Sequence, residues 1–346
     1  MPGPARVMAT PPHVDPTPLE ARMADLEGGA QGFAFSSGRA AIACLLELVN
    51  SGAHVIVSDG LHGGCYRLLE DIRRRASGMR ISYVDPTDWA ALDAAFIEEE
   101  TKMVWVESPG SPKARLADLG MIATFAKDHD LISICDNTHC TPYLQRPLEH
   151  GFGVSLNAAP GYLYGGVVKD GAIAVVAPEQ DFLVDKLGFL RAALGVVPAS
   201  TDMDLALRAL GSLGPRMERV CDTAEQVAAF LAAHPRIKAL DYPGFGDHTD
   251  VELTKRQMVR AGGFMSVVLD ADMEATRRFL ERLNVIAIGE GPAGPGSVIN
   301  HPSSQLFSSV VEEIRAGLGL TNGLCRLWVG LEDGDDLVRD LSEALG

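Results

Sequence analysis

Between residues 19 and 178 short apolar runs alternate with longer amphipathic ones, and this alternation restricts the available folds more than any other feature. His54-Val55-Ile56-Val57, Met79 to Val84, Met103-Val104-Trp105-Val106 and Leu131 to Cys135 have strand length. Tyr66 to Ala76, Trp89 to Glu99 and Leu116 to His129 have helix length and lie between them. Upstream, Leu19 to Leu26 is amphipathic, and Ala40 to Val49 follows Ser36-Ser37-Gly38, a helix start with serines placed to cap it. Strands separated by helices are joined by crossovers, so the pattern predicts βαβ units and an α/β fold with a mainly parallel sheet.

The texture then changes. Gln180 to Ala233 reads as helical, with a break near Gly211 to Pro215. After Tyr242-Pro243-Gly244, Gly263 to Leu269, Val285 to Ile288 and Cys325 to Val329 read as strands, with helices over Met273 to Leu283 and Asp335 to Leu345. The expected organisation is an arm at 1–18, a large domain at 19–234 and a smaller α+β domain at 235–346. The arm is rich in proline and lacks the apolar core of a leader peptide, and no apolar run reaches bilayer length, so a cytoplasmic protein with no membrane role is expected. A formal net charge of −16 opposes nucleic-acid binding, which needs a basic footprint. The six cysteines show no paired C-x-x-C spacing, and Cys44, Cys135, Cys221 and Cys325 read as buried thiols.

Several ordered segments carry a resemblance. They are Leu26-Glu27-Gly28-Gly29, Phe35-Ser36-Ser37-Gly38-Arg39-Ala40-Ala41-Ile42, Val106-Glu107-Ser108-Pro109-Gly110-Ser111-Pro112, and Asp136-Asn137-Thr138 with Thr141-Pro142. Further on come Tyr162-Leu163 with Gly165-Gly166, Leu207 to Leu213 with Arg216-Met217, Tyr242-Pro243-Gly244, His301-Pro302, and Arg326 to Asp333. From Leu19 to Leu345 the chain resembles the Cys/Met-metabolism family of pyridoxal-phosphate (PLP) enzymes, which includes cystathionine γ-synthase, cystathionine γ-lyase and methionine γ-lyase. The resemblance implies an aspartate-aminotransferase-type fold, PLP fold type I, assembled as dimers or tetramers with sites shared between subunits.

That chemistry needs an imine-forming amine, an acid for the pyridine nitrogen, a phosphate cradle and a carboxylate clamp. The family's Ser-Ala-Thr-Lys segment falls on Ala158-Ala159-Pro160-Gly161, so glycine stands where the resemblance places the lysine, and both flanking hydroxyls are gone. Lys113 and Lys169 are the lysines near enough in sequence to be substitutes. The acid remains as Asp136, at the end of a predicted strand, where open α/β sheets bind ligands. Ser37, Gly38 and Arg39 offer a cradle at a helix start, with Ser111 beside it. Arg326 aligns with the family's carboxylate-binding arginine, and Ser297 is placed with it. The family's stacking tyrosine segment reads His62-Gly63-Gly64-Cys65-Tyr66, and its aromatic-Ala pair reads His139-Cys140.

His62, Cys65, His139 and Cys140 therefore gather on two loops, with Asp136 between them. They suit a soft metal or haem, a nucleophile–base pair, or drift after a constraint was lifted. Standard covalent PLP is not expected, and the cofactor is open. Three functional readings follow. The pocket has been repurposed for another ligand, an amino acid or other small carboxylate. Alternatively, the chain is a non-catalytic pseudoenzyme subunit, homo-oligomeric or pairing with an active paralogue. In the third, it is a lyase or transferase of sulfur amino acids that holds PLP non-covalently or through another lysine.

Overall fold

The computed structural model describes residues 16–60, 63–110, 112–245, 250–291, 294–305 and 319–346. His62, Ser111 and most of the N-terminal arm lie outside them. In order the elements are α1 (Pro18–Glu27), β1 (Gln31–Phe35), α2 (Gly38–Leu46), β2 (His54–Ser58), α3 (Gly63–Arg67), a π-helical segment (Leu68–Arg73), α4 (Arg74–Ser77), β3 (Arg80–Val84), α5 (Trp89–Ala95), β4 (Thr101–Glu107), α6 (Leu119–Asp128), β5 (Ile132–Asp136), α7 (Thr141–Leu144), β6 (Val154–Asn157), α8 (Pro160–Tyr164) and β7 (Ala172–Val176). Three helices follow: α9 (Asp181–Leu194), α10 (Ser200–Leu210) and α11 (Leu213–Ala233). The remainder holds β8 (Ile237–Asp241), α12 (Val251–Gln257), β9 (Phe264–Leu269), α13 (Met273–Arg282), β10 (Ala287–Ile288), β11 (Val298–Asn300), β12 (Leu324–Trp328) and a closing helix, Gly334–Leu345.

Seven strands form the large sheet in the order β1-β7-β6-β5-β4-β2-β3. Strands β3, β2, β4, β5 and β6 run parallel, as the βα alternation predicts, while β7 is antiparallel to β6 and to β1. The mixed edge belongs to three short strands, Gln31–Phe35, Val154–Asn157 and Ala172–Val176, that the sequence pattern did not single out. Side chains alternate across the sheet: Val55 and Val57 enter one apolar cluster and Ile56 enters another. The second sheet, β10-β11-β12-β9-β8, has five strands. Val285 to Ile288 shortens to a two-residue strand, and Tyr66 to Ala76 passes through a π-helical segment rather than a plain helix. Pro215 stands in the first turn of α11, where no backbone donor is needed, so the helical break falls before it.

Two buried acids tie α1 to the large sheet. Glu20 accepts from the Thr17 and Ala34 backbone N–H groups and pairs with Arg191 of α9. Glu27 accepts from Ser155 Oγ at 2.9 Å and Asn157 Nδ2 at 3.1 Å. Burial pushes the Glu27 carboxyl from 4.5 to about 7, and those hydrogen bonds only partly offset it. Between these values the fold keeps a proton that the unfolded chain has released, so stability falls as pH rises through that window and levels off above it. The span corresponds to about 3 kcal/mol. Glu27→Gln is expected to be more stable than the parent at pH 8 by up to that amount and to match it at pH 4. Urea denaturation at the two pH values checks both halves. Among the described residues no helix is long and apolar enough to cross a membrane.

Candidate functional site

The parallel pairing of β4 and β5 sets Glu107 and Asp136 opposite each other at the carboxyl edge of the large sheet. On β12, Arg326 and Trp328 are two residues apart and so share a face. These four side chains, with Gly38 and Arg39 at the start of α2, Cys65, Thr138, His139 and Ala158, line a cavity of about 140 Å³ between the two sheets. Ser37 N-caps α2, its hydroxyl accepting from Ala40 N–H at 3.1 Å. The next residue approaches β6 so closely that a Cβ on Gly38 would stand 2.0 Å from the Ala158 carbonyl oxygen, which only glycine avoids.

Asp136 accepts from Thr138 N–H at 3.1 Å and from the Thr138 hydroxyl on the same oxygen. Thr138 in turn accepts from Ala158 N–H at 2.7 Å, so the two loops beyond β5 and β6 are joined through the acid. Burial, then the facing Glu107, pushes the Asp136 carboxyl up to about 6, and the Thr138 hydrogen bonds oppose this. As an anion in this dry setting it favours a cation or a protonated nitrogen opposite it.

Arg326 is 2% exposed. Its Nε donates to Asn300 Oδ1 at 3.0 Å, across the β11–β12 pair, and its guanidinium lies 5.1 Å over the Trp328 ring. Burial pulls its pKa down to about 10, with Glu107 and Glu290 acting the other way, so it remains a cation at neutral pH. A planar fork of this kind suits a carboxylate.

Among the described residues that line the cavity there is no lysine. Gly161 is buried within α8, and Pro160 stands at that helix's first turn. The α8 scaffold is nevertheless well held. Arg216 donates to the carbonyls of Tyr162 and Leu163, and the Tyr162 hydroxyl donates to the Val329 carbonyl at 2.9 Å.

The His/Cys set divides. Cys65 and His139 line the cavity. Cys140 does not join them: it is 1% exposed, sits in the apolar cluster with Leu144 and Tyr162, and turns its Sγ to the Ser108 carbonyl at 3.9 Å. Among the described residues no three His, Cys, Asp or Glu side chains come together as a metal site. Cys140 is thus separated from Cys65 and His139, because adjacent residues 139 and 140 point to different sides of the chain, while His62, the fourth residue of the set, lies outside the described residues. Burial, then Asp136 and Glu107, holds the Cys65 sulfur well above the ordinary thiol range, so at neutral pH it is a thiol rather than a nucleophilic thiolate. Ser297 also lies off the lining, its hydroxyl donating to Glu332 at 2.9 Å and accepting from Gly330 N–H at 2.8 Å. Glu107 and Trp328 are lining residues that the sequence reading passed over. Their signals were a carboxylate ending a strand, as Asp136 does, and an aromatic two residues beyond Arg326.

Comparison with known proteins places this geometry. Residues 12–346 match the family model described as Cys/Met metabolism PLP-dependent enzyme. The chain is similar to a cystathionine beta-lyase of Coxiella burnetii, 42% identical over 323 residues that span 93% of this chain and 83% of that one. It is 36% identical to a cystathionine gamma-lyase of Bacillus subtilis, over 95% of this chain and 86% of the relative. A crystal structure of cystathionine gamma-lyase from Lactobacillus plantarum complexed with L-serine superposes with a TM-score of 0.89, at 35% identity, covering 94% of this chain and 84% of that one.

Proposed function

The chain belongs to the Cys/Met-metabolism PLP-dependent enzyme family, and from that premise we propose that it is a transsulfuration homologue that has left imine chemistry behind and binds a small carboxylate, of amino-acid type, without a covalent cofactor. One observation carries this reading. The described lining supplies the acid, Asp136, and the guanidinium, Arg326, but no amine. Asp136 suits a pyridine nitrogen, yet Gly161 has no nitrogen to form an imine, and Ala158 and Pro160 offer no side-chain donor to a phosphate. These residues do not fit pyridoxal phosphate held in the family's manner. They do fit a zwitterion, since Asp136 favours a protonated nitrogen and Arg326 a carboxylate. L-serine, the ligand named for the Lactobacillus structure, is the natural first probe.

The test has two arms. Incubation with pyridoxal phosphate, borohydride reduction and mass spectrometry is expected to find no specific lysine adduct. Calorimetry is expected to find saturable L-serine binding. A stoichiometric adduct on one lysine, or no binding of L-serine or another small amino acid, overturns the reading. Gly161→Lys alone is expected to leave cystathionine cleavage undetectable in a coupled thiol assay, because the two missing hydroxyls remain missing. Sustained turnover with added pyridoxal phosphate would show that one substitution separates this chain from its catalytic relatives.

A further inference from the structure

Glu27 closes α1, is wholly buried, and does not line the cavity. Three donors converge on one of its oxygens: Ser155 Oγ at 2.9 Å, Asn157 Nδ2 at 3.1 Å and Asn137 Nδ2 at 3.5 Å all reach Oε1. Its other oxygen, Oε2, has no hydrogen-bond partner among the described residues, and neither has Oδ1 of the same Asn157. Two buried acceptors are thus left over in one carboxyl–amide pair. A carboxylate only accepts and cannot answer an amide oxygen. A carboxylic acid has one O–H to give, and beside a primary amide it makes a two-point pair, N–H to carbonyl one way and O–H to carbonyl the other. A single proton on Oε2 satisfies both orphans. The surroundings act in the same direction: burial raises the Glu27 carboxyl to about 7, and Arg146 is the charged group that opposes it. The thiols of Cys135 and Cys140, which also act on Glu27, are held neutral by their own burial. Strands β1, β6 and β7 carry no ionisable side chain, Tyr143 of α7 is bonded to Glu218, Glu149 pairs with Arg146, and Asp202, Asp204 and Arg208 of α10 are exposed.

Both cavity loops start from this pair. Asn137 follows Asp136, and its backbone N–H donates to the Leu156 carbonyl at 2.7 Å. Asn157 precedes Ala158, whose N–H donates to the Thr138 hydroxyl at 2.7 Å. We propose that Glu27 is a positioning residue: as a neutral acid it donates from Oε2 to Asn157 Oδ1 and anchors the loop that brings Ala158 against Thr138 and Asp136. When the proton leaves, two acceptors face each other, one of them charged, and the anchor becomes a repulsion. The proton is held at low pH and lost as pH rises through the folded-state value, so the loop loosens in the alkaline direction.

The test uses the full chain and Glu27→Gln, whose amide donates to Asn157 Oδ1 at every pH and so copies the neutral acid. The infrared difference between parent and variant is expected to show a carboxylic-acid carbonyl band at about pH 6 that is gone at about pH 8.5. Hydrogen exchange of residues 155–161, corrected for intrinsic rate, is expected to match in the two proteins at the lower pH and to be about tenfold faster in the parent at the higher. A merely structural glutamate gives no such pH-dependent difference. Absence of the acid band, or a parent that exchanges like the variant at both pH values, overturns the proposal. Should the variant fail to fold, the parent decides: protection lost at 155–161 while β5 keeps its own supports the anchor, and uniform behaviour refutes it. L-serine affinity, an arm that rests on the proposed carboxylate reading, is expected to fall about threefold or more in the parent relative to the variant over the same rise in pH. A parent that binds no small carboxylate sinks that reading, while the infrared and exchange results still decide the role of Glu27.

Discussion

Arg326→Met is expected to weaken L-serine binding about 100-fold or more, equivalent to about 2.7 kcal/mol. The magnitude follows from burial. Because the guanidinium is almost wholly out of water, a carboxylate that reaches it interacts in a setting of low dielectric constant, where losing one partner of a hydrogen-bonded charge pair costs about 2–5 kcal/mol. Methionine keeps much of the apolar stem against Trp328, so the loss reports charge and hydrogen bonding rather than a collapsed wall. It also leaves Glu107 and Asp136 with one compensating cation fewer in the cavity, which works against any further anion. Arg326→Lys is expected to fall between parent and methionine variant, because an ammonium retains the charge and loses the fork. Calorimetric titration of all three ranks them, and a methionine variant within threefold of the parent removes Arg326 from the binding site.

The second large effect concerns stability. Glu20→Ala is expected to destabilise the fold by about 3–5 kcal/mol, the usual result of breaking a buried ion pair from one side. Glu20 is 1% exposed and Arg191 9% exposed, and the Arg191 guanidinium lies 5.4 Å over the Phe33 ring. With the carboxylate gone, the arginine retains the Ala34 carbonyl at 3.2 Å but loses its counter-charge, and Ala34 N–H loses its acceptor. Removing both charges together, Glu20→Gln with Arg191→Met, is expected to recover a large part of the loss, since it is the unpaired charge rather than the pair's absence that is costly. Urea unfolding of the single and double variants measures the difference. A single variant within about 1 kcal/mol of the parent places the pair among the weak ones.

Much of the scaffold was legible in the sequence because it depends on local pattern. The strands around Val55, Ile81, Val104 and Ile134 are apolar runs bounded by polar or turn residues, and they pair in parallel as crossovers require. The three strands of the mixed edge were harder although two of them are as long as β2, β3 and β5: β7 joins β1 and β6 in antiparallel pairs, outside the strand–helix alternation that marked the others. Leu116 to His129 begins as a helix only at Leu119, because the Asp118 side chain accepts from Met121 N–H and sets the start. The site was legible where chemistry follows strand ends. Asp136 was found in this way and Arg326 through the family resemblance, and both line the cavity.

Cys140 marks the limit. Its type and its place beside His139 are written in the sequence, but the turn after β5 sends one side chain into the cavity and the other into the core. The pairing of Glu107 with Asp136 depends on the register of β4 against β5, and the contacts of His139 with Trp328 and Glu107 join residues up to 221 positions apart by their numbers. Alternation, caps and residue types specified an α/β scaffold with a mainly parallel sheet, since these are properties of neighbours along the chain. Which charges face one another, and which thiol is buried in the core, follow from contacts between distant segments, whose free energies arise only when the two sheets come together.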